Sequence, residues 1–229
     1  MGEKTLSKTS PVEFISIQLL KYAANPNPVA ALINAFCDGL NTLQINNIIE
    51  VLNDLKARID NIEEKTGRNL YFDKIVFEED ILPVLQKAKN GANAQKRELY
   101  VAFIAACIHP DNLDCNNKSL FSNYLDKLDY LSVYILNNLG YYHTEKQLVE
   151  KIGSKYDDNV ILVHLWDLKA NDLVDKISAE EYERLHRRYG NIKLRHSQNL
   201  FLYKRNRFGG ELLNFIIKGM PNNNSNEEV

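Results

Sequence analysis

Apolar residues recur at steps of three and four along most of this chain, the signature of helices that each bury one face. From Val12 to Ala24 they fall at Val12, Ile15, Leu19, Leu20 and Ala23. The run Asn25-Pro26-Asn27-Pro28 stops that helix, because each proline disfavours helical backbone in the residue before it. Pro28 suits the opening of the next, Val29 to Leu40, which reads VAALINAFCDGL and is apolar nearly all round. The longest stripe spans Asn41 to Lys65, with Leu43, Ile45, Ile48, Ile49, Leu52, Leu55, Ile59 and Ile62 on one side and Gly67 as its stop. Leu52, Leu55, Ile59 and Ile62 have coiled-coil spacing, but the run is short. Packing within the chain is the leading expectation for it, and self-association the alternative. Phe77 to Lys89, with Pro83 in its first half, and the almost wholly apolar Gln95 to Ile108 complete the helices of the first half.

Ser119 to Gly140 stands at the junction of two differently patterned halves. Phe121, Tyr124, Leu125, Leu128, Leu131, Ile135 and Leu139 share one face there, predicting a single helix. Beyond it, Thr144 has the character of an N-cap with Gln147 three residues on, so a short helix is expected over Glu145 to Ile152. A longer helix follows over Asp157 to Ala170, then a brief strand at Leu173-Val174, a polar helix from Ser178 to Tyr189, and extended chain from Leu194 to Tyr203. Gly209-Gly210 reads as a turn before a last apolar helix carrying Leu212, Leu213, Phe215, Ile216 and Ile217.

The expected fold class is mainly α: a helical N-terminal part over residues 12–110 and a C-terminal part over 120–219. The order of elements in the latter looks like a winged helix with a small β-wing. Val160 to Ala170 takes the recognition-helix position and Gln198 to Arg207 supplies the wing. The polar residues 221–229 bury nothing and are expected to be a disordered tail.

Several stretches carry a resemblance: NPNPVAALINAF, LQINNIIEVLNDLKARIDNIEEK, KRELYVAFIAACIHPDN, the Ser119 to Gly140 stretch, and RFGGELLNFI. Together they are similar to uncharacterised bacterial helical proteins of the Abi-alpha type, a family associated with phage defence, over roughly Pro28 to Lys218. The resemblance implies a helical first part, a winged-helix-like end whose last helix follows a glycine, and a bacterial defence or mobile-element setting. It carries no catalytic residue across.

Composition changes this picture in only a few places. The 229 residues are 45% hydrophobic and 25% charged with a net charge of −2, within the ordinary range for a globular protein. Three cysteines, Cys37, Cys107 and Cys115, form no disulfide framework, which suggests a reducing compartment. Met1 to Ser10 has no apolar core of a secretion signal, and no run reaches the ~18 apolar residues of a membrane span. The expected location is therefore cytoplasmic, without membrane contact.

Charge is distributed unevenly. Between Arg184 and Lys218 there are nine basic residues and one acidic residue, Glu211, so the remainder of the chain holds −10. Arg184, Arg187, Arg188, Lys193, Arg195, Lys204, Arg205 and Arg207 are the candidates for nucleic-acid contact, since clustered cations displace counterions from phosphates. Tyr189, Phe201, Tyr203 and Phe208 are interleaved with them. The competing reading sets these cations against the acids Asp73, Glu78, Glu79 and Asp80 of the first half. The helix at the recognition position is poor in cations, with Lys169 and His164 alone.

No catalytic constellation emerges. Cys107, His109 and Cys115 lack a fourth ligand, and Cys107 sits on an apolar helix face as a core residue would. Arg207-Phe208-Gly209-Gly210 lacks the spacing and lysine of a phosphate loop. Trp166 reads as a core anchor. The sequence thus points to a non-enzymatic binding protein without a cofactor or metal, contacting nucleic acid through the basic segment. The alternative is a protein-protein or self-assembly module acting through the apolar residues 29–62.

Overall fold

The computed structural model describes residues 10–186 and 200–220. These are mainly helical, with one small three-stranded antiparallel sheet. They fall into two units, one of residues 10–127 and 215–220, the other of residues 128–186 and 200–214. The expected tail 221–229 lies outside the described residues.

Local capping sets the helix starts of the first unit. Helix α1 (Pro11–Leu20) begins at a capping box in which Ser10 and Glu13 exchange hydrogen bonds. Helix α2 (Pro26–Asp38) takes Pro26 and Pro28 into its opening turn, where a missing N–H costs nothing, so it starts three residues earlier than the pattern suggests. Its buried residues are Val29, Ile33 and Cys37. Helix α3 (Thr42–Thr66) is capped by Asn41 with Gln44 and ends at Gly67, whose φ of +64° is the left-handed conformation that glycine adopts without strain.

The α3 stripe is used within this unit. Ile45, Ile48, Val51, Leu52, Leu55, Ile59 and Ile62 are buried against α1 and helix α6 (Ala94–Ile108), and α6 is itself buried continuously from Leu99 to Ile108. Leu43, counted in the stripe from the sequence, is 70% exposed instead. Between these helices lies a continuous helical segment made of α4 (Lys74–Val76), a π-turn (Phe77–Ile81) and α5 (Leu82–Ala88). Pro83 lacks the N–H that would extend the α ladder. The wide turn just before it closes with the Leu82 N–H donating to the Phe77 carbonyl. Helix α7 (Lys118–Tyr124) follows, and Phe215 places its ring 5.1 Å from Phe103 and 5.4 Å from Phe121.

The junction stretch is two helices. α7 ends at Tyr124, the chain turns through residues 125–129, and α8 (Tyr130–Asn138) starts with Asp129 accepting from the Ser132 N–H at 2.7 Å. Leu125, Leu128 and Leu131 are all buried, so the helical spacing of apolar residues continues across a backbone that is not helical there.

After α8 the second unit runs β1 (His143–Thr144), α9 (Glu145–Ile152), α10 (Asp158–Ala170), β2 (Val174–Ser178), α11 (Ala179–His186), β3 (Phe201–Arg205) and α12 (Arg207–Gly219). Thr144 and Gln147 form the expected capping box, and Asp157 caps α10. The sheet order is β1-β3-β2, with His143 opposite Tyr203 and Val174 opposite Arg205. Placing β3 in the middle buries Leu202 and Tyr203 completely enough to make this strand the centre of the unit.

Helix α12 corrects a second expectation. Gly209 and Gly210 lie inside its first turn and do not form a turn ahead of it. Asn206 holds that turn, accepting from the Gly209 N–H and donating to the Asp172 carbonyl. A Cβ on Gly209 would stand 2.2 Å from the Leu173 carbonyl oxygen, so close backbone approach explains the glycine. Residues of α12 to Asn214 belong to the second unit and those from Phe215 to the first. Among the described residues no helix is long and apolar enough to cross a membrane.

Candidate functional site

The basic candidates divide by position. Arg187, Arg188, Lys193 and Arg195 lie outside the described residues. Arg184, on α11, stands 3.8 Å from Glu181, and the same helix carries Glu180 and Glu183, acids that a count begun at Arg184 leaves out. Arg207 is exposed and pairs with Glu211 at 2.8 Å, one helical turn on. Arg205 is only partly exposed. Its guanidinium donates to the Leu136 carbonyl at 3.2 Å, and its stem passes Gly209 and Gly210. Lys204 lies 5.3 Å from the Tyr142 ring, which meets Tyr182 edge-on at 5.2 Å. The described cations thus share no single surface of unpaired charge.

Lys176 adds a cation that the sequence reading passed over. It is exposed on β2, with its ammonium 4.0 Å from the Phe201 ring centre and 5.4 Å from that of Tyr203. Register explains the contact, since Lys176 and Tyr203 are directly opposite in the sheet and share a face.

Helix α10 presents the more distinctive surface. Ile161, Leu165 and Leu168 are buried, which turns the other side of the helix outward. That outward arc carries Asn159, Val160, Val163, Trp166, Asp167 and Ala170, with no cation among them. Val160, Val163 and Trp166 are 44%, 50% and 50% exposed, and their spacing of three aligns them as one apolar stripe. The expectation that Trp166 anchors a core does not hold: half of its surface meets solvent.

Trp166 is nevertheless held in place. Its indole N–H donates to Oε1 of Glu145 at 3.1 Å, and the same oxygen accepts the Tyr203 hydroxyl at 2.7 Å. Burial, and then the adjacent Glu145 carboxylate, push the Tyr203 hydroxyl well above the usual tyrosine range, so it remains a donor. The sequence offered one signal for this arrangement, the N-terminal position of Glu145 in α9, and none for its partners.

A serine, a histidine and an aspartate also meet in this unit. Ser132 Oγ lies 3.2 Å and Asp129 Oδ2 3.4 Å from the same ring nitrogen, Nδ1 of His164. A proton relay needs the two partners on opposite ring nitrogens. This trio instead ties α8 to α10.

In the first unit, Gln86, Lys87, Asn90, Tyr100, Asn123 and Asp126 help to line an open groove of about 630 Å³, across which Lys87 and Asp126 form an ion pair. The apolar residues 29–62 offered for self-association are largely covered within this unit, as described above. Cys107 is fully buried, which pushes its thiol well up, while His109 accepts the Asp111 N–H through Nδ1. No group of three or more metal-ligating side chains occurs among the described residues. Comparison of the chain with family models, curated proteins and solved structures gives no match.

Proposed function

We propose that this chain is a non-enzymatic binding protein whose second unit is winged-helix-like and presents α10 to a protein partner. The order α8-β1-α9-α10-β2-α11-β3, with β3 central in the sheet, supports the winged-helix reading: three helices precede the paired strands β2 and β3, between which α11 is inserted, and α10 takes the recognition position. The choice of a protein partner rests on one observation. The outward arc of α10 is apolar and carries Asp167 but no cation. Such a face would be repelled by phosphates and has no side chain to make the arginine or lysine contacts of groove reading. It has instead the aromatic and aliphatic character of an interface centre. In the bacterial defence setting that the Abi-alpha resemblance implies, this unit would join the chain to a second component.

A second reading keeps nucleic acid, at the connection between β2 and β3. It is favoured by the sequence Arg187 to His196, which contains four Lys or Arg residues and no acid. One titration separates the two. Labelled duplex DNA and single-stranded RNA are added across a salt series while anisotropy and Trp166 emission are both recorded. On the proposed function neither nucleic acid shifts Trp166 emission. Anisotropy that rises, weakens steeply with salt and is lost when Arg187, Arg188, Lys193 and Arg195 become alanine establishes the second reading. A shift of Trp166 emission by either nucleic acid overturns the first.

A further inference from the structure

We infer that the partner segment seated on α10 is a basic amphipathic helix, with Trp166 as its fixed anchor. The inference rests on the proposed role of α10 as a protein-docking helix and concerns the chemistry of what docks.

Three features of the surface select this occupant. The apolar stripe Val160, Val163 and Trp166 spans two turns of α10, about 9 Å from first to last Cα at 1.5 Å per residue, the length over which a second helix crossing it makes contact. The charges around the stripe are mostly acidic. Asp157 and Asp158 are exposed at the start of α10, Asp167 lies within the outward arc, and Glu145 sits beside the indole. The Lys169 ammonium on this helix is 3.6 Å from Asp172, leaving Asp167 without an ion-pair partner among the described residues. A rim of carboxylates around an apolar centre favours lysines and arginines flanking an apolar face, and it disfavours a second copy of α10, which would bring the same acids together.

The third feature is preorganisation. A free tryptophan side chain gives up rotamer freedom when it is buried in an interface, about 0.5–1.5 kcal/mol for a side chain with several rotamers. Here the Glu145 carboxylate already fixes the indole N–H, and Tyr203 fixes the carboxylate from the sheet side. Glu145 is therefore a positioning residue: it holds Trp166 in the orientation in which half of its ring faces outward. A tryptophan ring held by hydrogen bonds before the partner arrives is suited to serve as an interface hot spot.

Trp166 is the only tryptophan in the chain, so intrinsic fluorescence reports this face directly. The full chain is titrated with a synthetic amphipathic helix built of leucine and lysine, and separately with its leucine-glutamate counterpart. The expected result is a blue shift of Trp166 emission with the lysine peptide alone. Affinity should fall about tenfold in Val163→Asp and in Asp167→Lys, two exposed positions whose change leaves the fold intact. Glu145→Gln, which keeps an acceptor for the indole, should bind nearly as the parent does, whereas Glu145→Ala should bind more weakly while retaining its helical circular dichroism.

The other outcomes are separable. A blue shift with the glutamate peptide and not the lysine peptide overturns the basic partner and leaves α10 as a docking helix. A shift produced by concentrating the chain alone makes the occupant a second copy and also overturns this inference. No shift with either peptide, at concentrations where the lysine helix saturates an acidic control surface, removes both this inference and the docking role of α10.

Discussion

Replacing Lys118 by methionine should destabilise the first unit severely and in a pH-dependent way. Lys118 and Asp80 are 6% and 8% exposed, with Nζ 3.5 Å from Oδ2. The lysine's second contact is the Leu113 carbonyl at 3.4 Å. Burial pushes the Asp80 carboxyl above its ordinary 3.8, with Lys118 opposing that rise and Glu79 and Asp73 adding to it. Removing the lysine leaves an uncompensated buried carboxylate, for which losses of about 3–5 kcal/mol are typical at neutral pH. The sign of the pH dependence follows. A carboxyl whose folded-state pKa is raised holds its proton more tightly in the folded protein, so stability falls as pH rises from about 3.8 through the folded value. The variant raises that value further, and its deficit should shrink on acidification as Asp80 becomes neutral. The pair Asp80→Leu with Lys118→Met removes both charges and should return to within about 1 kcal/mol of the parent, or exceed it. Urea unfolding followed by far-ultraviolet circular dichroism measures this, and Trp166 emission reports the second unit in the same samples. A single variant that loses under about 1 kcal/mol at neutral pH, a deficit that is the same near pH 4, or a double variant as unstable as the single would each refute the buried-pair role of Lys118 and Asp80.

Other positions test other parts of the structure. Gly209→Ala would stabilise an ordinary helix by about 1 kcal/mol, but here its Cβ meets the Leu173 carbonyl, so a loss of about 1–3 kcal/mol in thermal unfolding is expected; a gain would refute the close approach. Glu145→Ala leaves the buried Tyr203 hydroxyl without its acceptor, and a denaturant midpoint corresponding to a loss of about 1–3 kcal/mol is expected, against near-parent stability for Glu145→Gln. Arg205→Ala removes a donor from the Leu136 carbonyl and should cost about 1–3 kcal/mol, while Arg207→Ala, exposed beside Glu211, should stay within about 0.5 kcal/mol; equal effects would place Arg205 on the surface. Burial lowers His109 and His143 below their ordinary 6.5, so both favour the neutral form when folded. Stability should be fully present above about pH 6.5 and decline as pH falls through their folded values, and replacing both with glutamine should flatten that decline.

What can be read along this chain is whatever depends on near neighbours in sequence. The caps at Asn41 and Thr144 and the glycine stop at Gly67 are legible because their hydrogen bonds and backbone angles close within a few residues. The buried stripe of α3 is legible because a 3.6-residue period and a covered face coincide. The mainly helical class and the order of elements in the second unit follow from those signals. The break at residues 125–129 does not, because Leu125 and Leu128 are buried there although the backbone turns, so the apolar spacing carries on as if the helix did. Gly209 looks like a turn signal until the Leu173 carbonyl is seen against it. The candidate site depends on tertiary structure even more. A tally of charges places Arg205 and Arg207 together, and only folding sends one guanidinium to the Leu136 carbonyl and leaves the other beside Glu211. Trp166 and Tyr203 lie 21 and 58 residues from Glu145, and the three carry no shared motif. The sheet and α10 bring them to one carboxylate oxygen, because a hydrogen bond is satisfied by distance in space, to which sequence separation is no guide.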